Sequence, residues 1–364
     1  MSDRAAIFHA PVNVYFLTIF DKATTVHSVP DNILQTLVSG RDSEQIRQLF
    51  KQASALVGES TIRHHLSEEL IARIGLERVI PKAYERYRLL VIDGIRHFLS
   101  KVDIDRLLGL VLKLNTFGED IPAEAYLVET AKYFPTLHKL GQLIARNKNI
   151  DPKVKKWLVL LESGHLGSSS AEIRELVKQQ LGKNESGLVR KQIHIAEELL
   201  AEASVAAVIC YSDNNEIATT AGGVCKVLKP GIASNLEEEL AAIGHTAEYL
   251  TARRNYYNLL QLDIGKLFEE IRESMQKETD LVAEQHHLRE VRQLYRSNCR
   301  IKIPELFAQS GPDITCMEYL EGVKITDAKV SPSQARSIGQ TLFDALVCTP
   351  LFSVDDEVLF HGDP

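Results

Sequence analysis

Apolar residues recur at helical spacing along most of this chain and close up into unbroken runs in one later stretch. Residues 1 to about 35 show no clear period. From Asp42 to about residue 128 the period is helical. Asp42-Ser43 is suited to cap a helix through Leu56, with Ile46, Leu49, Phe50 and Leu56 as its apolar positions. Further helices are predicted over Leu66–Ile74, Tyr84–Leu99 and Ile104–Leu114, which together make a bundle of amphipathic helices. A second helical stretch is predicted from about 129 to 200. In it Asp151 is a cap and Pro152 takes the first helical position. Gly164-His165-Leu166-Gly167-Ser168-Ser169 has the glycines of a phosphate-binding loop but neither a preceding strand nor a Lys, so it reads as the cap of a helix over Ala171–Leu181.

The texture changes near Ala203. Val205 to Tyr211 is a continuous apolar run and reads as a strand; Asp213-Asn214-Asn215 reads as a turn. Gly222 to Lys229 reads as the next strand, ended by Pro230-Gly231. Helices are predicted over Leu236–Leu250 and from about Tyr256 to Leu294. The apolar stretch Ile301–Phe307 follows, then a buried strand over Ile314–Leu320. Ser331-Pro332-Ser333-Gln334 is a capping box with Pro in the first helical position, starting a helix to about Val347.

Composition narrows the class. With 364 residues, 45% hydrophobic and 25% charged, the chain reads as globular, with length for two or three domains. A formal net charge of −7 argues against a general nucleic-acid binder. Five scattered Cys without a CxxC pair suit a reduced, cytoplasmic protein with no disulfide framework. No run reaches the ~18 apolar residues of a membrane span, and no signal peptide is evident. His64-His65 and His286-His287 are neighbours on helices, and adjacent positions diverge by about 100°, too far to share a metal.

The candidate chemistry lies in an order of parts. A strand and turn lead to a strand bearing Lys226. A helix with several acids follows, then an apolar strand running into Met317-Glu318, then another helix. The run Val358-Leu359-Phe360 leads into His361-Gly362-Asp363-Pro364, a His-x-Asp in which the Asp is placed to accept a substrate hydroxyl proton. A Lys inside an apolar strand needs a partner. Glu284 is a candidate, with Glu273, Glu278 and Asp280 as rivals on the same stretch. Phosphoryl transfer on a kinase scaffold uses such a Lys for the nucleotide phosphates and a helical Glu to fix it.

These residues resemble the UbiB/AarF (ADCK-type) family of atypical kinases over about 129 to 364. Lys139-Leu140-Gly141-Gln142 resembles its KxGQ motif. Ala201 to Ala206 resembles the Ala-rich loop that replaces a Gly-rich phosphate loop. Val224 to Gly231 resembles the strand of the nucleotide-binding Lys. Glu278-Thr279-Asp280 resembles the ExD motif, whose spacing selects Glu284 as the partner of Lys226. Cys316 to Gly322 resembles the strand entering the hinge, with Met317 in the gatekeeper place, and His361 to Pro364 resembles the start of the catalytic loop.

The resemblance implies an α+β, mostly helical fold. A helical N-terminal domain (1–128) and a helical KxGQ segment (129–200) accompany a protein-kinase-like small lobe with an antiparallel sheet (201–322), then the hinge and start of a large lobe that is mostly missing (323–364). It implies ATP and Mg as cofactors. Catalytic roles fall to Asp363, Lys226 and Glu284, and nucleotide contacts to Ala203, Ser204, Lys226, Met317 and Glu318. Lys139 meets the ExD acids, Glu278 before Asp280. The chain through Pro364 lacks the Asn and the later Asp that hold the metal, so turnover is not expected of it, and whether it is an enzyme stays open. Partners implied are a nucleotide and a lipid or quinone-pathway small molecule, with peripheral membrane contact. A non-catalytic nucleotide-binding pseudokinase or a helical interaction module is the alternative.

Overall fold

A computed structural model of the chain describes residues 58–75, 82–114, 123–145, 169–182, 193–212, 223–258, 263–323 and 327–352, with single positions at 51, 55, 80 and 325. The helix expected after Asp42, the cap at Asp151 and the turn at Asp213 lie outside them. The chain divides into two compact units, residues 1–166 with 231–276 and residues 167–230 with 277–364.

The first unit is helical. It holds α1 (Glu59–Ile74), a 3-10 turn over Lys82–Tyr87, α2 (Arg88–Leu99), α3 (Ile104–Leu114), α4 (Ala123–Tyr133), α5 (Pro135–Ala145), α7 (Ile232–Ala252) and all but the last turn of α8 (Ile264–Thr279). α3 shows why this stretch is helical: Leu107, Leu108, Val111 and Leu114 form one buried stripe, and the Asp103 carboxylate takes the first amides, from Asp105 at 2.9 Å and Arg106 at 3.3 Å. Leu66, Leu70, Ile74, Phe98, Leu99 and Phe134 complete the core. α7 packs on α2 and α5.

Among the described residues of this unit, the most deeply buried charged side chain sits in that core. Glu239 of α7 has no exposed surface. Its carboxylate accepts from the Thr136 amide at 3.0 Å and the Thr136 hydroxyl at 2.6 Å, and it pairs with the Arg106 guanidinium. Thr136 lies in the first turn of α5, so the carboxylate satisfies an amide that the helix itself leaves without a partner. Burial pushes the Glu239 carboxyl up; Arg106 and Thr136 pull it back.

The second unit is built on one antiparallel sheet in the order β1 (His194–Glu202), β2 (Ala206–Ser212), β3 (Gly223–Leu228), β4 (Ile314–Glu318). One face packs on α6 (Ser170–Gly182): Ile173, Val177 and Leu181 meet Ile209, Tyr211, Cys225, Val227, Ile314 and Cys316. α9 (Leu281–Leu294) lies against β4. After a long connection come α10 (Pro332–Phe343), a wide turn over Asp344–Cys348 and α11 (Thr349–Phe352). The capping box at Ser331 is present, with Ser331 Oγ accepting from the Gln334 amide and Pro332 at the helix start.

The structure corrects two sequence expectations. Residues 194–200 were expected to be helical and form β1. Ile195, Ala196 and Leu199 pack on the core beside β2, and that pairing overrides the helix preference of Glu197-Glu198-Leu199-Leu200. The single helix expected over Tyr256–Leu294 is two helices, α8 and α9, and the chain before them turns at Asn258 with a positive φ of 54°. The break between α8 and α9 falls at Asp280, whose carboxylate accepts from the Ala283 amide at 2.8 Å as the cap of α9. Ile301–Phe307 is extended and meets the outer edge of β4 through a single bridge, Leu306 to Met317.

Candidate functional site

Lys226 sits in the middle of β3, in register with Val208 on β2 and Thr315 on β4. Cys225 and Val227 face the α6 core, so the alternation of a pleated strand puts Lys226 on the opposite face. There its Nζ donates to Glu284 Oε2 at 2.6 Å. Glu284 stands in the first turn of α9, where a carboxylate also suits the positive end of the helix. The two side chains are 25% and 42% exposed, so the pair contributes only about 0–1 kcal/mol to stability. Its worth lies in holding an ammonium at a fixed point on an apolar face.

Ala203 and Ser204 form the tight turn between β1 and β2. The Ala203 amide donates to the Ala206 carbonyl at 2.8 Å, and the Lys229 amide ties the turn down through the Val205 carbonyl at 2.9 Å. Ser204 Oγ donates to Glu278 Oε2 at 3.0 Å, which brings the first acid of the ExD-like triplet to the turn. Asp280, the second acid, is committed to capping α9. Glu202 puts a carboxylate at the mouth of this turn, but Lys229 Nζ lies 2.9 Å from it and its side chain is 1% exposed.

Met317 pairs with Val224 at the end of β4. The Glu318 amide is taken by the Glu305 carbonyl at 2.8 Å. Its carboxylate accepts from Lys302 at 2.6 Å, which with the Glu305 amide holds it below the ordinary carboxylate range. Gly223 is at the near end of β3, where an added Cβ would lie 2.7 Å from the Tyr211 ring, 2.9 Å from the Met317 carbonyl and 2.9 Å from the Phe307 ring. Only a residue without a side chain lets these strands approach. Behind Lys226 and Met317, Cys225 and Cys316 stand opposite each other with sulfurs 3.0 Å apart. The contact and burial push the Cys225 thiol far above its ordinary range, so it stays neutral and unreactive.

Lys139, Gly141 and Gln142 lie on α5 in the first unit, with Lys139 and Gly141 buried and Gln142 half-buried. Asp363 lies outside the described residues. No group of three or more His, Cys, Asp or Glu is placed to hold a metal ion among the described residues. No helix among them is long and apolar enough to cross a membrane.

Sequence reasoning passed over two polar residues that shape the site, the buried Gln285 on α9 and Lys229 beside Glu202. Gln285 had a visible signal: it falls between Leu281 and Leu288 on the helical stripe, where an aliphatic residue is expected. Lys229 had none.

Comparison with known proteins points the same way as the parts. Residues 161–364 match the model of the ABC1 atypical kinase-like domain. Over 213 residues the chain is 26% identical to "Atypical kinase COQ8, mitochondrial" of Schizosaccharomyces pombe, covering 56% of this chain and 32% of that protein. Over 238 residues it is 24% identical to an uncharacterized protein of Synechocystis, sll1770, covering 63% of this chain and 38% of that one. The chain thus spans between about a third and two fifths of the length of these relatives.

Proposed function

The chain belongs to the ABC1 atypical kinase-like family, and on that premise we propose that its second unit binds ATP with Mg²⁺ as a kinase-type small lobe. The observation that carries the reading is the 2.6 Å contact of Lys226 with Glu284. A strand Lys fixed by a helical Glu is the device that holds nucleotide phosphates in kinases. The donor set suits a nucleotide: one fixed ammonium, a tight turn at Ala203-Ser204 for the phosphates, and a strand end at Met317-Glu318 for the base edge. With the Glu318 amide already committed, base recognition falls to the Glu318 carbonyl and the residues that follow.

In this reading Glu278 rather than Asp280 is the working acid of the ExD-like triplet, because Asp280 is committed to a helix cap. Asp363 is the group that receives the acceptor's proton. Bound Mg²⁺ would neutralise phosphate charge; no described cluster holds it, so it rests on the nucleotide and on residues beyond those described. The acceptor side is assigned to a small molecule of lipid or quinone metabolism on the strength of the family resemblance. Five free thiols fit a reduced compartment, and peripheral membrane contact is assigned on the family resemblance alone.

The test is a titration of the purified chain with ATP and MgCl₂, read by calorimetry and thermal melting. Saturable binding that Lys226→Ala weakens at least about tenfold, the scale of losing a charge-assisted contact, supports the reading. Equal binding by wild type and Lys226→Ala, or none by wild type, removes it.

A further inference from the structure

Gln285 is 5% exposed, yet it occupies a position where α9 turns toward the sheet. The two N–H groups of its Nε2 are shared among three acceptors: the Gly311 carbonyl at 2.8 Å, the Ile314 carbonyl at 3.2 Å and Thr315 Oγ1 at 3.1 Å. All three belong to β4 or the turn that enters it, which is itself closed by the Gly311 amide on the Ile314 carbonyl at 2.7 Å. Thr315 is the residue directly opposite Lys226 on β3. Glu284, the partner of Lys226, precedes Gln285 on α9. Two neighbouring residues of one helix therefore reach two neighbouring strands: Glu284 to β3 and Gln285 to β4.

We propose that Gln285 is a positioning residue for the Lys226–Glu284 pair, holding α9 against β4 so that the pair is assembled before any ligand arrives. The exposed pair is too weak to set the helix by itself. A buried amide with directional bonds to backbone carbonyls is a firmer anchor, because leaving it or its acceptors without partners would be costly. An apolar residue would fill the same space without fixing the rotation of α9 about its axis. Rotation matters here: one residue of register turns the helix by about 100°, enough to carry Glu284 off the face of Lys226. The assignment draws on the nucleotide reading only for its consequence, since the geometry concerns the pair itself.

The test is residue-resolved acetylation of the full-length chain with an N-hydroxysuccinimide ester, followed by peptide mass spectrometry. An amine held against a carboxylate acylates slowly, and Glu284→Gln sets the rate for a released Lys226. Gln285→Leu is expected to raise Lys226 acetylation several-fold, toward that reference, while Lys229 and Lys302 keep their wild-type rates. In the Glu284→Gln background it is expected to add nothing. A general loosening would raise all three lysines together. Gln285→Met, which keeps the length of the side chain, carries the same expectation and decides the matter if the Leu variant does not fold. A wild-type Lys226 rate in a folded variant, or the same increment in both backgrounds, overturns the proposal. ATP binding is measured separately: its absence in wild type would remove the nucleotide reading and leave the acetylation result standing.

Discussion

Lys229 and Glu202 meet at 2.9 Å with side chains 11% and 1% exposed, so each holds the other's charge out of water. Removing one member of such a buried pair costs about 3 kcal/mol, mostly the cost of the charge left behind. Lys229→Met is therefore expected to lower the urea midpoint clearly, and Lys229→Met with Glu202→Gln to recover part of the loss. His97 makes a second prediction. Its ring stacks on Tyr249 at 4.2 Å between centroids and its Nδ1 lies 3.1 Å from the Thr246 hydroxyl. Burial first, then the neighbouring Lys101, His245 and Arg253, lower its pKa from the ordinary value of 6.5. The unfolded chain then binds the proton at higher pH than the folded one, so the contribution of His97 is fully present above 6.5 and is lost as pH falls through the lower, folded value. Melting temperature measured from pH 7.5 down to 5 should drop, and His97→Gln should flatten the drop.

At the scale of elements, Gly223 and Asp280 set strand spacing and helix start. Gly223→Ala drives a methyl into the Tyr211 ring and the Met317 carbonyl, a clash expected to cost about 1–3 kcal/mol and to displace the end of β4. Asp280→Ala removes the cap of α9 and should cost about 1 kcal/mol, with Asp280→Ser near wild type; chemical denaturation distinguishes the two. These elements also show what the sequence could reveal. α3 was legible because its apolar positions follow the helical period. β2, β3 and β4 were legible as apolar runs, and the capping box fixed the start of α10. Lys226 and Glu284 were found together because motif spacing chose one acid among four. β1 was not legible, since Glu197-Glu198-Leu199-Leu200 prefers a helix locally and becomes a strand only by pairing with β2. The contacts of Gln285 and Glu239 were illegible for a different reason: their partners are distant in the chain, and a single sequence does not say which amide a buried polar group will find.

For the whole molecule, the family match and the physical units have different borders. The match begins at residue 161, yet α7 lies within it and packs on α2 and α5, which lie before it. Leu236, Ile243 and Leu250 of α7 are at most 5% exposed in that packing, and Leu250 Cδ1 stands 3.3 Å from where a Cβ on Gly94 would be. Residues 161–364 expressed alone would bare this stripe together with the buried Glu239. We expect that segment to self-associate on size exclusion and to bind a hydrophobic dye, where the full chain does neither to the same degree. Monomeric behaviour without dye binding would show that α7 needs no partner.

The chain passes between its units three times, at residues 166–167, 230–231 and 276–277. For inheritance this makes them a single piece. A recombination breakpoint anywhere from residue 167 to 275 divides both units at once, so neither can be exchanged, duplicated or lost through one crossover there while the other stays whole.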